Sequence, residues 1–218
     1  MPFRDRRDAG RPLGAALAHY RAKHAVVLAL PRGGVPVAAE IAMALNAPLD
    51  LVLVRKIGVP YQPELAMGAV ADAGDPLVVR NDQVIALAGI QETEFATVRD
   101  AELAEIERRR KRYLGQRRPA DVAGRVAIVV DDGIATGATT RAALRATRLR
   151  KPRELVLAVP VAPTEALAAM REEADHVVCL EDYEPLGAIG LYYSDFRQVS
   201  DREVIETLAR FRSIAYSD

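Results

Sequence analysis

Ten residues of this chain concentrate its chemistry. The apolar run Val126-Ala127-Ile128-Val129-Val130 is followed by Asp131-Asp132-Gly133-Ile134-Ala135-Thr136-Gly137-Ala138-Thr139-Thr140. A buried strand therefore ends in two adjacent carboxylates, then small residues and hydroxyls, then a helix start. Small residues let the backbone approach an anion closely. The free N–H groups of a helix N-terminus, backed by the helix dipole, hold that anion. Thr136, Thr139 and Thr140 add hydroxyl donors. Carboxylates at the carboxyl end of a parallel strand stand where open α/β sheets bind ligands. A phosphate on the loop and a diol or metal on Asp131 and Asp132 together describe a phosphorylated sugar. An ordinary strand-to-helix turn with an Asp cap explains one Asp and one Gly, but not this density. The P-loop, the G-x-G-x-x-G fingerprint and the G-x-S-x-G elbow are all absent.

Two further loops follow apolar strand-like runs. Leu30-Pro31-Arg32-Gly33-Gly34-Val35-Pro36 offers two glycines for unusual dihedrals and an arginine to neutralise phosphate charge. The plainer alternative is a helix-start loop with Pro36 in the first turn. Val54-Arg55-Lys56-Ile57-Gly58-Val59-Pro60-Tyr61-Gln62-Pro63-Glu64 carries a basic pair and then turn-forming residues. It also reads as an exposed basic turn, with Glu64 facing solvent.

The elements that must position these loops alternate. Strand-length apolar runs occur at Ala25–Leu30, Leu49–Val54, Val126–Val130, Leu155–Val159 and Val177–Leu180. They do not alternate with polar residues, which suits strands of a parallel sheet buried on both faces. Helical patterns lie between them at Pro36–Leu45, Thr139–Arg150 and Pro163–Glu173. The order predicts an α/β fold: an open, mostly parallel twisted sheet flanked by helices. Leu65–Val79 reads as two short strands around the turn Asp72-Ala73-Gly74-Asp75. Asn81–Gly89 and Thr93–Leu114 read as inserted helices. On the longer one, Glu105/Arg109 and Glu107/Lys111 are favourable i,i+4 pairs. The basic run Arg108–Arg112 therefore reads as a salt-bridged helix end before it reads as a nucleic-acid contact, and no aromatics interleave with it. The expected organisation is one domain over 1–218, with a core over about 12–180, a helical insertion over about 81–116 and a small C-terminal hood over about 181–200 containing few strands. A short helix is expected to begin near Asp201.

The composition agrees with such a fold. Of 218 residues, 50% are apolar and 28% charged, enough for a sizeable core. Thirty basic and thirty acidic residues cancel, so nothing marks the whole chain as a polyanion or membrane-surface binder. Cys179 is the single cysteine, which excludes an internal disulfide and a cysteine-cluster metal site. His19, His24 and His176 are scattered and read as structural. The charged N-terminus leads into no apolar signal segment, and no run is long enough to span a bilayer. The expectation is a cytoplasmic protein without membrane or nucleic-acid partners.

The stretch from Val126 to Thr140, an apolar strand, two acids, then Ala-Thr-Gly-x-Thr, resembles the motif by which type I phosphoribosyltransferases bind 5-phosphoribosyl pyrophosphate (PRPP). The resemblance implies that Asp131 and Asp132 take the ribose hydroxyls. Ala135, Thr136, Gly137, Ala138 and Thr139 would cradle the 5-phosphate, with Gly133 and Thr140 in the same loop. It implies that Arg32, Gly33 and Gly34 meet pyrophosphate, and that Arg55 and Lys56 stabilise it as it leaves, under a flexible loop that closes over the site. Lys56, Arg55, Asp131 and Asp132 are then the catalytic candidates. Mg²⁺ is the implied cofactor, held by Asp131 and Asp132 only indirectly, through PRPP. The likeness covers about Ala25 to Leu180. More loosely, Phe3-Arg4-Asp5-Arg6, Pro63–Val70 and Tyr192–Phe196 are similar to a bacterial group of predicted phosphoribosyltransferases.

The activity implied is transfer of 5-phosphoribose to a small nitrogenous acceptor. Relatives acting on 6-oxopurines carry an Asp where this chain has Ala135, which argues against ordinary hypoxanthine or guanine salvage. Acceptor contacts are expected from Tyr192, Tyr193, Asp195 and Phe196, with Tyr183 nearby; these aromatics equally suit the hood's own core. The family is commonly dimeric, so a homodimer is expected. A non-catalytic PRPP or nucleotide sensor of the same fold, and a phosphosugar or nucleotide hydrolase, are the competing readings.

Overall fold

The computed structural model describes residues 2–72, 76–117, 119–184 and 188–211. Five strands form a parallel sheet: β1 (Ala25–Ala29), β2 (Leu49–Leu51), β6 (Val126–Val130), β7 (Glu154–Pro163) and β8 (His176–Tyr183), in the order β2-β1-β6-β7-β8. Three more, β3 (Val54–Val59), β4 (Gln62–Asp72) and β5 (Pro76–Arg80), form a separate antiparallel sheet. The helices are α1 (Arg6–Ala16), α2 (Gly34–Leu45), α3 (Asp82–Leu87), α4 (Glu92–Leu114), α5 (Ala138–Leu149), α6 (Thr164–Arg171) and α7 (Asp201–Arg210). The fold is the α/β sheet flanked by helices that the sequence predicts.

The unbroken apolar runs are explained by burial on both faces. Along β1, Ala25, Val27 and Ala29 pack with α2 and Leu13 of α1, while Val26 and Leu28 pack with Ala143 and Leu144 of α5 and Leu167 of α6. One run is divided differently from its pattern. Leu49–Val54 reads as one strand, but β2 ends at Leu51 and Val54 already belongs to β3. Val52 still donates to Ala29 O, whereas Leu53 O accepts from Asp72 of β4. Two sheets thus share one apolar run, and hydropathy cannot mark the handover.

The expected flexible loop over Ile57–Glu64 is a β-hairpin. Ile57 pairs with Gly68, Gly58 with Ala66 and Val59 with Gln62, with register shifts at both steps. The turn expected at 73–75 lies outside the described residues. Helix α4 covers the small sheet with Phe95, which is fully buried. Its basic end is fully engaged: Arg108 and Arg109 on Glu105, Arg110 on Asp72, Lys111 on Glu107 and Arg112 on Asp201.

Helix α1 was not expected, because Gly10, Pro12 and Gly14 lie inside it. Tertiary packing overrides that weak propensity. A Cβ on Gly10 would stand 2.7 Å from Val37 O of α2, so the glycine permits the two helices to touch. Asp5 caps the helix by accepting from the Asp8 N–H at 2.9 Å.

Candidate active site

Strands β1 and β6 are neighbours in register, with Ala29 opposite Val130. The chain therefore leaves both at the carboxyl end of the sheet. Leu30 N–H donates to Val130 O at 2.9 Å, and the Pro31–Arg32 peptide that follows is cis. Gly33 then lies against the Asp132 carboxylate. A Cβ built on Gly33 would fall 2.1 Å from Asp132 Oδ2, a position that only glycine leaves open. The loops carrying Arg32-Gly33-Gly34 and Asp131-Asp132 are thus one site.

The carboxylates are held from several directions. Asp131 Oδ1 accepts from its neighbour's N–H at 2.9 Å. Asp132 Oδ2 accepts from Arg6 Nε at 2.6 Å, with side-chain exposures of only 14% and 10%. The same guanidinium donates from Nη1 to Arg197 O at 2.8 Å and lies 4.0 Å from the centre of the Phe196 ring. Tyr193 OH donates to Asp132 O at 2.7 Å. Burial pushes the Asp131 carboxyl well above the usual range, and the Asp132 charge pushes it further; Arg6 acts against both. Burial also raises the Tyr193 phenol. A carboxylate pair in this state gains from any hydroxyl donor or cation that arrives.

Beyond the carboxylates, Ile134 N–H donates to Val161 O at 3.0 Å and pins the loop to β7. Gly137 takes a left-handed φ of 78° and opens α5, and no side chain caps that helix. Its first-turn N–H groups are left for an anion, at the positive end of the dipole. Ala135, Thr136, Ala138 and Thr139 are exposed there, while Thr140 turns inward and is buried.

The model of the phosphoribosyl transferase domain matches residues 13–193, most of the chain. The chain belongs to the phosphoribosyl transferase domain family. In Mycobacterium tuberculosis, Rv0571c of strain H37Rv and MT0597 of strain CDC 1551, both provisionally named as phosphoribosyl transferases, are each 46% identical over 208 residues. That is 95% of this chain but 46% of the relatives, so the chain spans about half the length of the curated proteins it matches. The crystal structure of TT1426 from Thermus thermophilus superposes with a TM-score of 0.85 at 40% identity, covering 97% of this chain and 99% of that one.

The three cations that the sequence assigns to this site of the phosphoribosyl transferase domain each face an acid. Arg32 faces Asp201 at 3.6 Å, Arg55 binds Glu102, and Lys56 Nζ donates to Glu64 at 2.8 Å. No hydrogen bond or ion pair joins Arg55 or Lys56 to either loop among the described residues. The hood aromatics form a small cluster of their own: Tyr193 stacks on Phe196 at 4.9 Å, and Tyr183 meets Tyr192 at 4.8 Å. Tyr193 is buried, whereas Tyr192 and Phe196 are partly exposed and Asp195 is exposed, its Oδ1 accepting from Arg197 N–H. The N-terminal segment closes the hood, with Phe3 N–H donating to Tyr192 O at 2.7 Å. Among the described residues no group of three or more His, Cys, Asp or Glu is placed to hold a metal.

Arg6 is the site residue that sequence reasoning missed. Its partner lies 126 positions away, and only its place in the opening Phe3-Arg4-Asp5-Arg6 set it apart.

Proposed function

We propose that the chain binds PRPP and transfers its 5-phosphoribose to a small nitrogenous acceptor, releasing pyrophosphate. One observation carries this reading. The paired carboxylates, the glycine loop after β1 and an uncapped helix N-terminus converge at the carboxyl end of the sheet. Asp131 and Asp132 accept the ribose hydroxyls, the first turn of α5 holds the 5-phosphate, and Gly33 and Gly34 let the backbone approach pyrophosphate. Arg32, Arg55 and Lys56 meet the leaving group by exchanging their present acids for it. The reaction centre has oxocarbenium character, so the residues act by positioning and electrostatics.

Two adjacent hard carboxylates, one with a raised pKa, suit Mg²⁺ held mainly by substrate oxygens and water. Bound that way, the ion would supply charge stabilisation for the leaving pyrophosphate. Of Tyr192, Tyr193, Asp195 and Phe196, the partly exposed Tyr192 and Phe196 and the exposed Asp195 are the acceptor contacts, with the buried Tyr193 behind them. The reading extends to one domain over 1–218 acting as a cytoplasmic homodimer; among the described residues no helix is long and apolar enough to cross a membrane.

Calorimetric titration with PRPP and Mg²⁺, followed by a panel of free bases with detection of pyrophosphate, tests the proposal. Binding with release on one base supports it and names the acceptor; no PRPP binding refutes it. Binding without release favours the second reading, a PRPP- or nucleotide-binding regulator. One observation speaks for that reading: all three leaving-group cations are already satisfied by acids.

A further inference from the structure

Helix α5 leaves the phosphate loop carrying Arg141, Arg145 and Arg148 and no acidic residue. Arg145 is held by Glu173 and Arg148 by Asp175. Arg141 has neither an ion pair nor a side-chain hydrogen bond among the described residues. Its position is electrostatically poor twice over. It stands in the first turn, where the helix dipole disfavours a cation. It is also four residues from Arg145, a like-charge spacing that destabilises a helix. An anion beside it would relieve both.

Arg141 and Arg145 line a cleft of about 430 Å³ between α5 and the edge where β5 runs into α3. That volume lies within the roughly 300–1,000 Å³ usual for small-ligand sites. Arg80, Asn81, Asp82 and Gln83 face them across it. Arg80 is bound to Asp82 and Glu92 and Arg145 to Glu173, which leaves Arg141 as the unpaired cation of the lining among the described residues; Arg145 joins it by releasing Glu173. Asn81 uses its side-chain oxygen to cap α3, so its NH₂ remains a donor. The floor is Ala66, Gly68, Ala69, Ala138 and Ala142. Val79 completes the apolar lining; apart from it no side chain there extends past Cβ, so a flat ring can lie against the floor. Paired guanidinium groups suit phosphate oxygens; a flat apolar floor with flanking carboxamides suits a heterocyclic base.

We propose that this cleft binds a nucleoside monophosphate, with its phosphate on Arg141 and Arg145 and its base on the alanine and glycine floor. The cleft adjoins the loop over 131–140 and shares Ala138 with it, but its cations stand further along α5. Its consequence rests on the transferase reading: a ligand here ties α5, which begins at the 5-phosphate loop, to the sheet that carries Arg55 and Lys56. Its binding then alters PRPP affinity, and PRPP alters its binding by the same factor.

The test is calorimetry with AMP, GMP, CMP and UMP in low salt, without PRPP or Mg²⁺, on three proteins: the full chain, Arg141→Ala with Arg145→Ala, and Asp131→Asn with Asp132→Asn. Alanine at exposed helix positions favours the helix, so the arginine variant keeps its fold; a thermal melt checks it. The expected result is binding of at least one nucleotide, weakened about tenfold or more by the arginine changes through loss of charge-assisted bonds and retained in the aspartate variant. Failure of all four nucleotides to bind the full chain overturns the proposal. So does binding that survives the arginine changes but is lost with the aspartates, since the nucleotide then occupies the phosphate loop. PRPP titration is a separate measurement, so failure of the transferase reading is recognised independently.

Discussion

Replacing Arg6 with alanine removes the one cation that, among the described residues, touches the carboxylate pair. Arg6 Nε lies 2.6 Å from Asp132 Oδ2, and the two side chains are 10% and 14% exposed. Breaking so buried a pair from one side costs about 3–5 kcal/mol, because the remaining charge loses its partner. The Arg197 carbonyl and the Phe196 ring lose their contact as well, adding roughly 1 kcal/mol each. These losses fall on one side chain and do not simply add. Water admitted to the gap recovers part of them, so about 3–5 kcal/mol stands for the whole. For a chain of this size that lowers Tm by roughly 10 °C. The loss depends on pH with a definite sign. Arg6 holds the Asp131 pKa down, so its removal raises further a carboxyl that already lies above its usual value. A carboxyl raised on folding opposes folding above its folded pKa, and the opposition fades as pH falls toward its unfolded pKa. The Arg6→Ala deficit therefore shrinks on acidification. Thermal melts followed by circular dichroism at pH 7.5 and 5 measure both effects. A variant melting within about 2 °C of the parent at pH 7.5, a loss of no more than about 1 kcal/mol, would refute the burial argument. A deficit that grows on acidification would refute the electrostatic one.

Asp131→Asn relieves a carboxyl that burial and Asp132 make costly. It should raise the Tm of the ligand-free protein at pH 7.5 while weakening PRPP binding about a hundredfold, through loss of charged hydrogen bonds; a lower Tm contradicts the sign. Gly33→Ala drives a methyl onto the Asp132 carboxylate. A destabilisation of about 1–3 kcal/mol in urea melts, together with loss of PRPP binding, is expected; an unchanged protein would mean the loops are not in contact. Lys56→Ala should lower kcat about a hundredfold while leaving PRPP affinity within a few-fold, as for a group that acts on departing charge; a loss seen only in affinity removes its leaving-group role.

What the sequence made legible was local. The parallel strands show as unbroken apolar runs, and the candidate site loop shows as a strand, two acids, small residues and a helix start, all within fifteen positions. The inserted helices show by their periodicity and pairs, down to Glu105 with Arg109. What stayed hidden depends on distant partners. Helix α1 carries residues that break isolated helices, and only α2 across from it explains them. The end of β2 is invisible because Val52, Leu53 and Val54 look alike whichever sheet they serve.

The site divides along the same line. Asp131 and Asp132 announce themselves, but their electrical state does not. That of Asp131 is set by burial, by Asp132 beside it and by Arg6 at the start of α1, while Tyr193 in the hood holds Asp132 O and Gly33 at the foot of α2 leaves room for the carboxylate, residues that meet only in the folded chain. The consequence is physical. A carboxylate pair at a strand end repels itself and favours opening of the loop. Here helix α1 supplies the countercharge, and Phe196 from the hood lies over that charge in turn. One guanidinium thereby joins helix α1 and the hood to the centre of the sheet, beside the hydrogen bond from Tyr193 OH to Asp132 O. Disturbing the hood at Phe196 should therefore weaken the grip on Asp132 without touching either loop, a coupling that no local motif encodes.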